Sequence, residues 1–210
     1  MKRTAGWLVT VFAIPVALYA VAYLVFRERM FPPQLRESFL ARPWGIYTHA
    51  LAGAIALALG PFQFHRRLLV RRRPLHRLLG RIYITAGIVT GMAGLYMSVY
   101  AFGGPVTKLG FAMLGVLLLA TTTNAFLAIR RRDIPRHREW VLRSYALIYA
   151  AVTLRIELPI LIAVFRDFTP AYQAVSWLCW VPNILLIEAF VRRTRAAARP
   201  DVEALRAATA

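Results

Sequence analysis

Two basic segments carry most of the side chains that could bind a ligand. Residues 65–83 read HRRLLVRRRPLHRLLGRIY, and residues 130–145 read RRRDIPRHREWVLRSY. Each segment has three arginines, then a proline, then His-Arg (at His76 and His137), and a tyrosine seven or eight residues after the histidine. Imidazole binds metals and exchanges protons, and guanidinium binds carboxylates and phosphates. These segments therefore predict a site for an anionic or redox-active group.

Apolar runs separate and flank these segments, and each run is long enough to cross a bilayer. Of the 210 residues, 59% are hydrophobic, whereas soluble domains have about 45–50%. The predicted fold is an all-α, polytopic membrane bundle, with a first helix and loop at 1–45, a five-helix core at 46–191 and a basic tail at 192–210. The six predicted transmembrane helices cover about 7–26, 46–64, 80–102, 108–129, 141–165 and 171–191.

The distribution of positive charge predicts the orientation. The net charge is +18, and 20 of the 27 Lys and Arg residues fall on the side of the two termini, against six on the other side. The positive-inside rule then predicts both termini in the cytoplasm and a bacterial cytoplasmic membrane. We attribute the charge to contact with anionic lipid headgroups, not to nucleic acid.

The two ends of the chain each leave two interpretations. The N-terminal apolar run has the features of a signal peptide, with Ala20-Val21-Ala22 as a cleavage site, but it continues beyond that point and favours an uncleaved first helix. The tail after residue 191 is predicted to be a surface helix or disordered. The loop at 27–45 has room for a short surface helix.

Polar residues inside the apolar runs form two predicted layers. Ionisable groups at membrane depth are costly and are therefore candidates for function. Far from the basic segments we expect His49, Arg155 and Glu157, and the last two point to different faces of one helix. Near the basic segments we expect Glu188 to pair with Arg81 or Arg143. The complete layer near the basic segments comprises Gln63, His76, Arg81, Tyr83, Asn124, His137, Trp140, Arg143, Asn183 and Glu188.

Several motifs in this order resemble a family of bacterial membrane proteins. They are His49 with Gly53, GPFQF at 60–64, HRLLGRIY at 76–83, Arg130 with RHREWVLRS at 136–144, Leu154-Arg155, and Asn183 with Glu188. The chain is similar over residues 46–190 to an uncharacterised six-helix family, a predicted membrane domain of unknown function. The resemblance implies the architecture and no particular activity, substrate or cofactor.

Three functions remain open from the sequence. In the first, His76 and His137 hold one b-type haem, neighbouring arginines hold its propionates, and electrons pass to or from a quinone. In the second, Arg81, Arg143 and the two histidines bind or transport an anion, a phospholipid headgroup or an isoprenoid-type lipid, with Arg155 and His49 as part of a path. In the third, the polar layers are structural and the protein is a partner subunit of unspecified oligomeric state.

The sequence favours no hydrolytic or metal chemistry. It has no Gly-x-Ser-x-Gly elbow, no His-Glu-x-x-His motif and no phosphate-binding glycine loop. The single cysteine, Cys179, allows no disulfide within the chain. No residue is assigned to catalysis, no metal site is predicted, and whether the protein is an enzyme stays open.

Overall fold

The computed structural model describes the backbone of residues 3–208 and the side chains of residues 10–65 and 68–197. The side chains of Lys2, Arg3, Arg66 and Arg67, and those beyond residue 197, contributed to the charge count above but lie outside the described residues. The regular elements of the described part are helices, without a strand. Six helical stretches there are long and apolar enough to span a membrane: Thr10–Met30, Pro43–Gln63, Arg73–Ser98, Gly104–Arg130, Ile134–Phe165 and Phe168–Ala197. The predicted all-α bundle with six spans is confirmed.

We number the α-helices in chain order. A 3₁₀ turn at Arg27–Met30 follows the first helix, and a short helix in the loop at 27–45 was expected and is present as the second. The helices are α1 Arg3–Phe26, α2 Pro33–Leu40, α3 Pro43–Gln63, α4 Arg66–Arg71, α5 Arg73–Ser98, α6 Gly104–Arg130, α7 Ile134–Ile148, α8 Ala150–Phe165, α9 Phe168–Leu178 and α10 Val181–Ala208.

Proline determines where several of these helices begin. Pro43, Pro74, Pro105 and Pro135 occupy the first two positions of α3, α5, α6 and α7. Proline suits this position because its fixed φ matches the helix, and the N–H that it lacks would have no partner there. Asp133 caps α7, and its side chain accepts a hydrogen bond from the backbone N–H of Arg136 at 3.1 Å.

The two basic segments are mostly helical, and their interpretation as loops is wrong. Helix α5 begins at Arg73 and not near residue 80, and α7 begins at Ile134 and not near residue 141. Arginine is a good helix former, so a loss of hydropathy marks the membrane boundary but does not end a helix. For the same reason α10 continues as a helix through the basic tail to Ala208.

Helix α5 lies at the centre of the bundle, between α3 and α6. Helix α3 also packs against α1, and α6 packs against α7 and α9. Small residues allow the close approaches: a Cβ added to Gly91 of α5 would lie 2.9 Å from Leu119 of α6, and one added to Gly60 of α3 would lie 1.9 Å from the Tyr145 ring of α7. Close backbone contact of this kind drives helix association in lipid.

The last two membrane spans are each interrupted. The span Ile134–Phe165 breaks at Tyr149, and the span Phe168–Ala197 breaks at Cys179 and Trp180. Asn183 joins the two breaks, because its Nδ2 donates to the carbonyl of Cys179 at 2.9 Å and that of Ala146 at 3.3 Å. The freed backbone carbonyls are thus satisfied by a side chain, as a membrane interior requires.

The basic connections meet at one end of the bundle, which we call the basic side. There α3 is followed by α4 and α5, and α6 is followed by α7. Two short turns lie at the opposite end, one between α5 and α6 and one between α8 and α9, and each joins two helices that pack against each other. In the first of these turns, Gly103 has φ of +90°, a conformation that glycine adopts without strain.

Candidate functional site

Two histidines occupy matching positions on the basic side. His76 is the fourth residue of α5 and His137 is the fourth residue of α7, each two residues after a proline in the first turn. Their backbone N–H groups donate to the backbone carbonyl oxygens of Arg72 and Asp133, the residues that precede the two helices, at 3.0 and 2.9 Å. The two imidazoles are close enough to interact electrostatically. The matched sequence pattern therefore places the two histidines at equivalent positions in the first turns of two different helices.

The His137 ring is oriented by the backbone of α6. Its Nδ1 lies 2.8 Å from the carbonyl oxygen of Ala125. Because a carbonyl can only accept, Nδ1 carries the proton, and in the neutral ring the lone pair is on Nε2. Histidines that bind metal ions commonly donate their other nitrogen to such a carbonyl.

His76 and Gln63 present polar atoms that lack a partner in the described part of the chain. Both His76 Nδ1 and Gln63 Nε2 are buried without a hydrogen bond. Gln63 Oε1 packs closely against Gly80, one turn beyond His76 on α5: a Cβ added to this glycine would lie 3.2 Å from it. Buried polar atoms without partners are rare and often belong to a binding site.

A hydrogen bond beneath the histidines connects the same two helices. Tyr83 and Ser144, each seven residues after its histidine, approach to 2.7 Å between their hydroxyl oxygens. Ser144 donates to the Val141 carbonyl at 3.1 Å, so Tyr83 donates to Ser144. Tyr83 is 1% exposed and Ser144 0%. This buried link connects α5 to α7 two turns beyond the histidines.

Arg143 belongs to a separate ion-pair cluster on another face of α7. Its Nε and Nη2 both lie 2.8 Å from Glu188 Oε2 of α10, and its Nη1 lies 3.7 Å from Glu139. The guanidinium also lies 4.8 Å from the centre of the Trp140 ring. Glu188 further pairs with Arg192 at 3.1 Å, and Glu139 pairs with Arg195. The expected pairing of Glu188 with Arg143 is thus observed.

Three other residues predicted for this layer do not join the histidines. Arg81 is exposed and has no carboxylate partner among the described residues. Asn124 is exposed and donates to the Ala120 carbonyl of its own helix at 2.8 Å. Asn183 lies at the break of the last span, where its Nδ2 also lies 3.2 Å from Thr153 Oγ1. The predicted single layer is therefore divided. His76 and His137 lie in one part, the ion-pair cluster of Arg143 forms a second, and Asn183 lies apart at the break of the last span.

The polar residues of the other layer are also distributed over several helix interfaces. His49 Nδ1 donates to the Thr90 carbonyl of α5 at 3.1 Å, and Thr90 Oγ1 donates to the His49 carbonyl at 3.0 Å. Arg155 Nη1 donates to the Ala151 carbonyl at 2.8 Å. Glu157 has a buried Oε2 without a hydrogen bond in the described part of the chain. Arg155 and Glu157 form no ion pair with each other, as their spacing predicts.

Sequence reasoning left out several residues that shape these groups. Glu139 was recoverable, because it precedes Arg143 by four residues and such pairs share a helix face. Ser144 was recoverable from the seven-residue repeat, since it follows His137 as Tyr83 follows His76. Thr90 and Arg195 carry no comparable signal, because their partners are distant in the chain.

The described side chains offer no ordinary metal site. No group of three or more His, Cys, Asp and Glu side chains comes together in that part of the structure. His76 and His137 would by themselves provide two ligands, a number that would suit an ion whose remaining ligands come from a bound group such as a porphyrin.

Comparison with known proteins identifies a family without an assigned activity. The family model described as "Predicted membrane protein (DUF2306)" matches residues 46–191, from the start of α3 to the last span. No curated protein and no solved structure matches the chain. The match covers more than half of the chain and nearly all of the bundle around the two histidines. The chain therefore belongs to this family of predicted membrane proteins.

Proposed function

We propose that this membrane protein binds one b-type haem between His76 and His137 on the basic side. The observation that carries the proposal is the equivalent placement of two imidazoles on different helices, each seven residues before one partner of the Tyr83–Ser144 hydrogen bond, with the His137 ring held through Nδ1 by the Ala125 carbonyl. A bis-histidine site needs Nε2 of both rings free for iron. No described residue forms a hydrogen bond with either Nε2.

The chain has the groups that would hold and orient such a cofactor. Arg77 and Arg138 directly follow the two histidines, and both are exposed and lack a carboxylate partner among the described residues. Guanidinium groups in this position would bind the two propionates. The Tyr83–Ser144 hydrogen bond connects the two helices two turns beyond the histidines. When bound in this way, haem transfers single electrons.

The proposed orientation places this site at the cytoplasmic face of a bacterial inner membrane. The arginine excess lies on the basic side, which the positive-inside rule assigns to the cytoplasm. Electrons would then be exchanged with a soluble cytoplasmic donor or with a quinone at the membrane boundary. Buried Gln63 Nε2 and His76 Nδ1 are available to a quinone carbonyl or a second polar group.

The test is a visible spectrum of protein expressed with ample haem and purified in mild detergent, air-oxidised and then reduced with dithionite. We expect a Soret band with sharp reduced α and β bands, and loss of this signal in both His76→Ala and His137→Ala. His65→Ala is the matched control, because His65 is exposed in the same connection and eleven residues from His76. His76→Met should shift the bands instead of abolishing them, since methionine also ligates haem iron.

A flat spectrum would contradict the haem proposal and favour the second candidate, binding of an anionic headgroup. That candidate is supported by exposed arginines without a carboxylate partner in the described residues: Arg71, Arg72, Arg73, Arg77, Arg81, Arg130, Arg131, Arg132 and Arg138. Arg143 would take no part, because Glu188 and Glu139 already neutralise it. Identification of the lipid that co-purifies with the protein would then be decisive.

A further inference from the structure

Arg155 is an arginine inside the membrane bundle without a negative charge beside it. It lies on α8, ten residues before the end of that helix at Phe165. No Asp or Glu side chain of the described residues pairs with it, and its Nε is buried without a hydrogen bond. Its Nη1 reaches only the carbonyl of Ala151, one turn earlier, at 2.8 Å. Guanidinium stays protonated in proteins, so this group remains a cation.

The surroundings of Arg155 come from two other helices and carry no negative charge near neutral pH. The guanidinium carbon lies 5.1 Å from the centre of the Tyr19 ring of α1, and Tyr19 contacts Tyr23 edge to face at 5.5 Å. His49 of α3 is within electrostatic reach. An aromatic face stabilises a cation but does not neutralise it. Glu157, two residues away, is not among the groups that act on Arg155.

The open side of this group lies at the outer surface of the helix bundle. Tyr19 is 40% exposed, and its neighbour Leu18 is 66% exposed on the outer surface of α1. Tyr23 lies three residues before the end of α1, and His49 is the seventh residue of α3, so the group lies in the half of the bundle away from the basic side. A ligand can therefore approach from the bilayer without contact with the basic arginines.

We propose that Arg155, with Tyr19 and Tyr23, binds the carboxylate or phosphate group of an anionic amphiphile. An acid group would supply the missing negative charge and accept hydrogen bonds from the guanidinium, and the acyl chain would lie along the apolar surface of α1. Charge-assisted hydrogen bonds of this kind are strong in a poorly solvated site. This site is separate from the histidine pair and does not depend on haem.

The experiment measures thermal unfolding of the full-length protein, delipidated in a neutral detergent. The added compounds are oleate, its uncharged methyl ester, phosphatidylglycerol and inorganic phosphate. We expect oleate or phosphatidylglycerol to raise the Tm by several degrees in a saturable way, and the methyl ester to have no effect. A rise with inorganic phosphate as large as that with oleate would show that the acyl chain takes no part and would overturn an amphiphile as the ligand.

Two variants separate this site from general attraction to a basic protein. Arg155→Gln should lose the anion-dependent rise, and without added anion it should unfold no lower than the wild type. Arg166→Gln, which removes an exposed arginine just beyond the same helix, should keep the full rise. The proposal would be overturned if the anion raised the Tm of the two variants by the same amount. It would also be overturned if the Tm of Arg155→Gln lay below that of the wild type by the same amount with and without the anion.

The comparison of ligands in the wild type keeps the proposal testable if Arg155→Gln does not fold. Equal shifts from oleate and its methyl ester would show that the negative charge is irrelevant, and no shift with any anion would show that the site binds none. Either result would overturn the proposal. Native mass spectrometry of the wild type should retain one anionic lipid after delipidation.

Discussion

Arg143 and Arg155 lie twelve residues apart on the same membrane span, on either side of its break at Tyr149, and have opposite surroundings. Arg143 meets two carboxylates, Glu188 of α10 and Glu139 one turn earlier on its own helix. Arg155 meets a backbone carbonyl and an aromatic ring. Both guanidinium groups are removed from bulk water, so each needs a compensating negative charge. The protein itself provides one only for Arg143.

The difference separates a structural arginine from one that is available to a ligand. The cluster of Arg143, Glu139, Glu188, Arg192 and Arg195 joins α7 to α10, and each of its charged side chains has a partner of opposite charge within the cluster. Nothing in that cluster requires a ligand. At Arg155 the charge remains uncompensated, which supports a site for an anion from outside the chain.

The largest effect should come from removing the cation of the cluster. Arg143 is 8% exposed, and its loss leaves Glu188 and Glu139 close to each other without the charge between them. Removing one partner of a fully buried pair typically costs about 3–5 kcal/mol, and because the Glu188 side chain is 33% exposed and also pairs with Arg192, we expect a cost at the lower end of that range. We expect Arg143→Gln to lower the Tm in detergent strongly, with Arg136→Gln as the control because Arg136 is exposed and pairs only with Asp133. Similar Tm values for the two variants would show that the cluster is not structural.

A smaller effect should follow from removing one carboxylate. Glu188→Gln keeps the shape and one hydrogen bond to Arg143 but loses the charge, and Glu139 still lies 3.7 Å from the guanidinium. Hydrogen bonds to charged groups contribute about 1.5–3 kcal/mol. Glu157→Gln is the matched comparison, because the Glu157 Oε2 is buried without a partner and should lose nothing. Thermal unfolding of both variants measures this difference, and an unchanged Tm for Glu188→Gln would remove the ion-pair interpretation.

The smallest effect should come from the rim of the cluster. The side chain of Arg195 is 57% exposed where it pairs with Glu139. Exposed ion pairs contribute about 0–1 kcal/mol and weaken with salt. Arg195→Ala should therefore change the Tm slightly at low ionic strength, and the change should vanish at high salt. A large effect that is independent of salt would mean that this end of α10 is more tightly packed than its exposure indicates.

The candidate sites were only partly predictable from the sequence. The repeat of three arginines, a proline, His-Arg and a tyrosine seven or eight residues later identified His76 and His137 as counterparts, and the structure places them at equivalent positions in α5 and α7. The repeat did not show that Arg143 faces away from His137. That assignment depends on which neighbouring helix covers each face of α7, and only the packed bundle determines it.

Helix boundaries show the same limit. The hydropathy of Arg73–Leu79 and Ile134–Trp140 marked where the chain leaves the membrane, yet both segments are helical. Arginine combines a low hydropathy with a high helix propensity, so the membrane boundary and the helix end separate at these positions. Asn124 was misplaced for a related reason, because equal depth in the membrane does not imply a shared face.

The sequence alone determined the number of spans and the concentration of arginine at one end of the bundle, because apolar length and charge act locally along the chain. Tertiary structure decided which buried charges are neutralised. Glu188 reaches Arg143 across 45 residues of chain, whereas Glu157, two residues from Arg155, does not reach it. Neutralisation requires contact within a few ångströms, and helix rotation and packing create or prevent that contact regardless of distance along the chain.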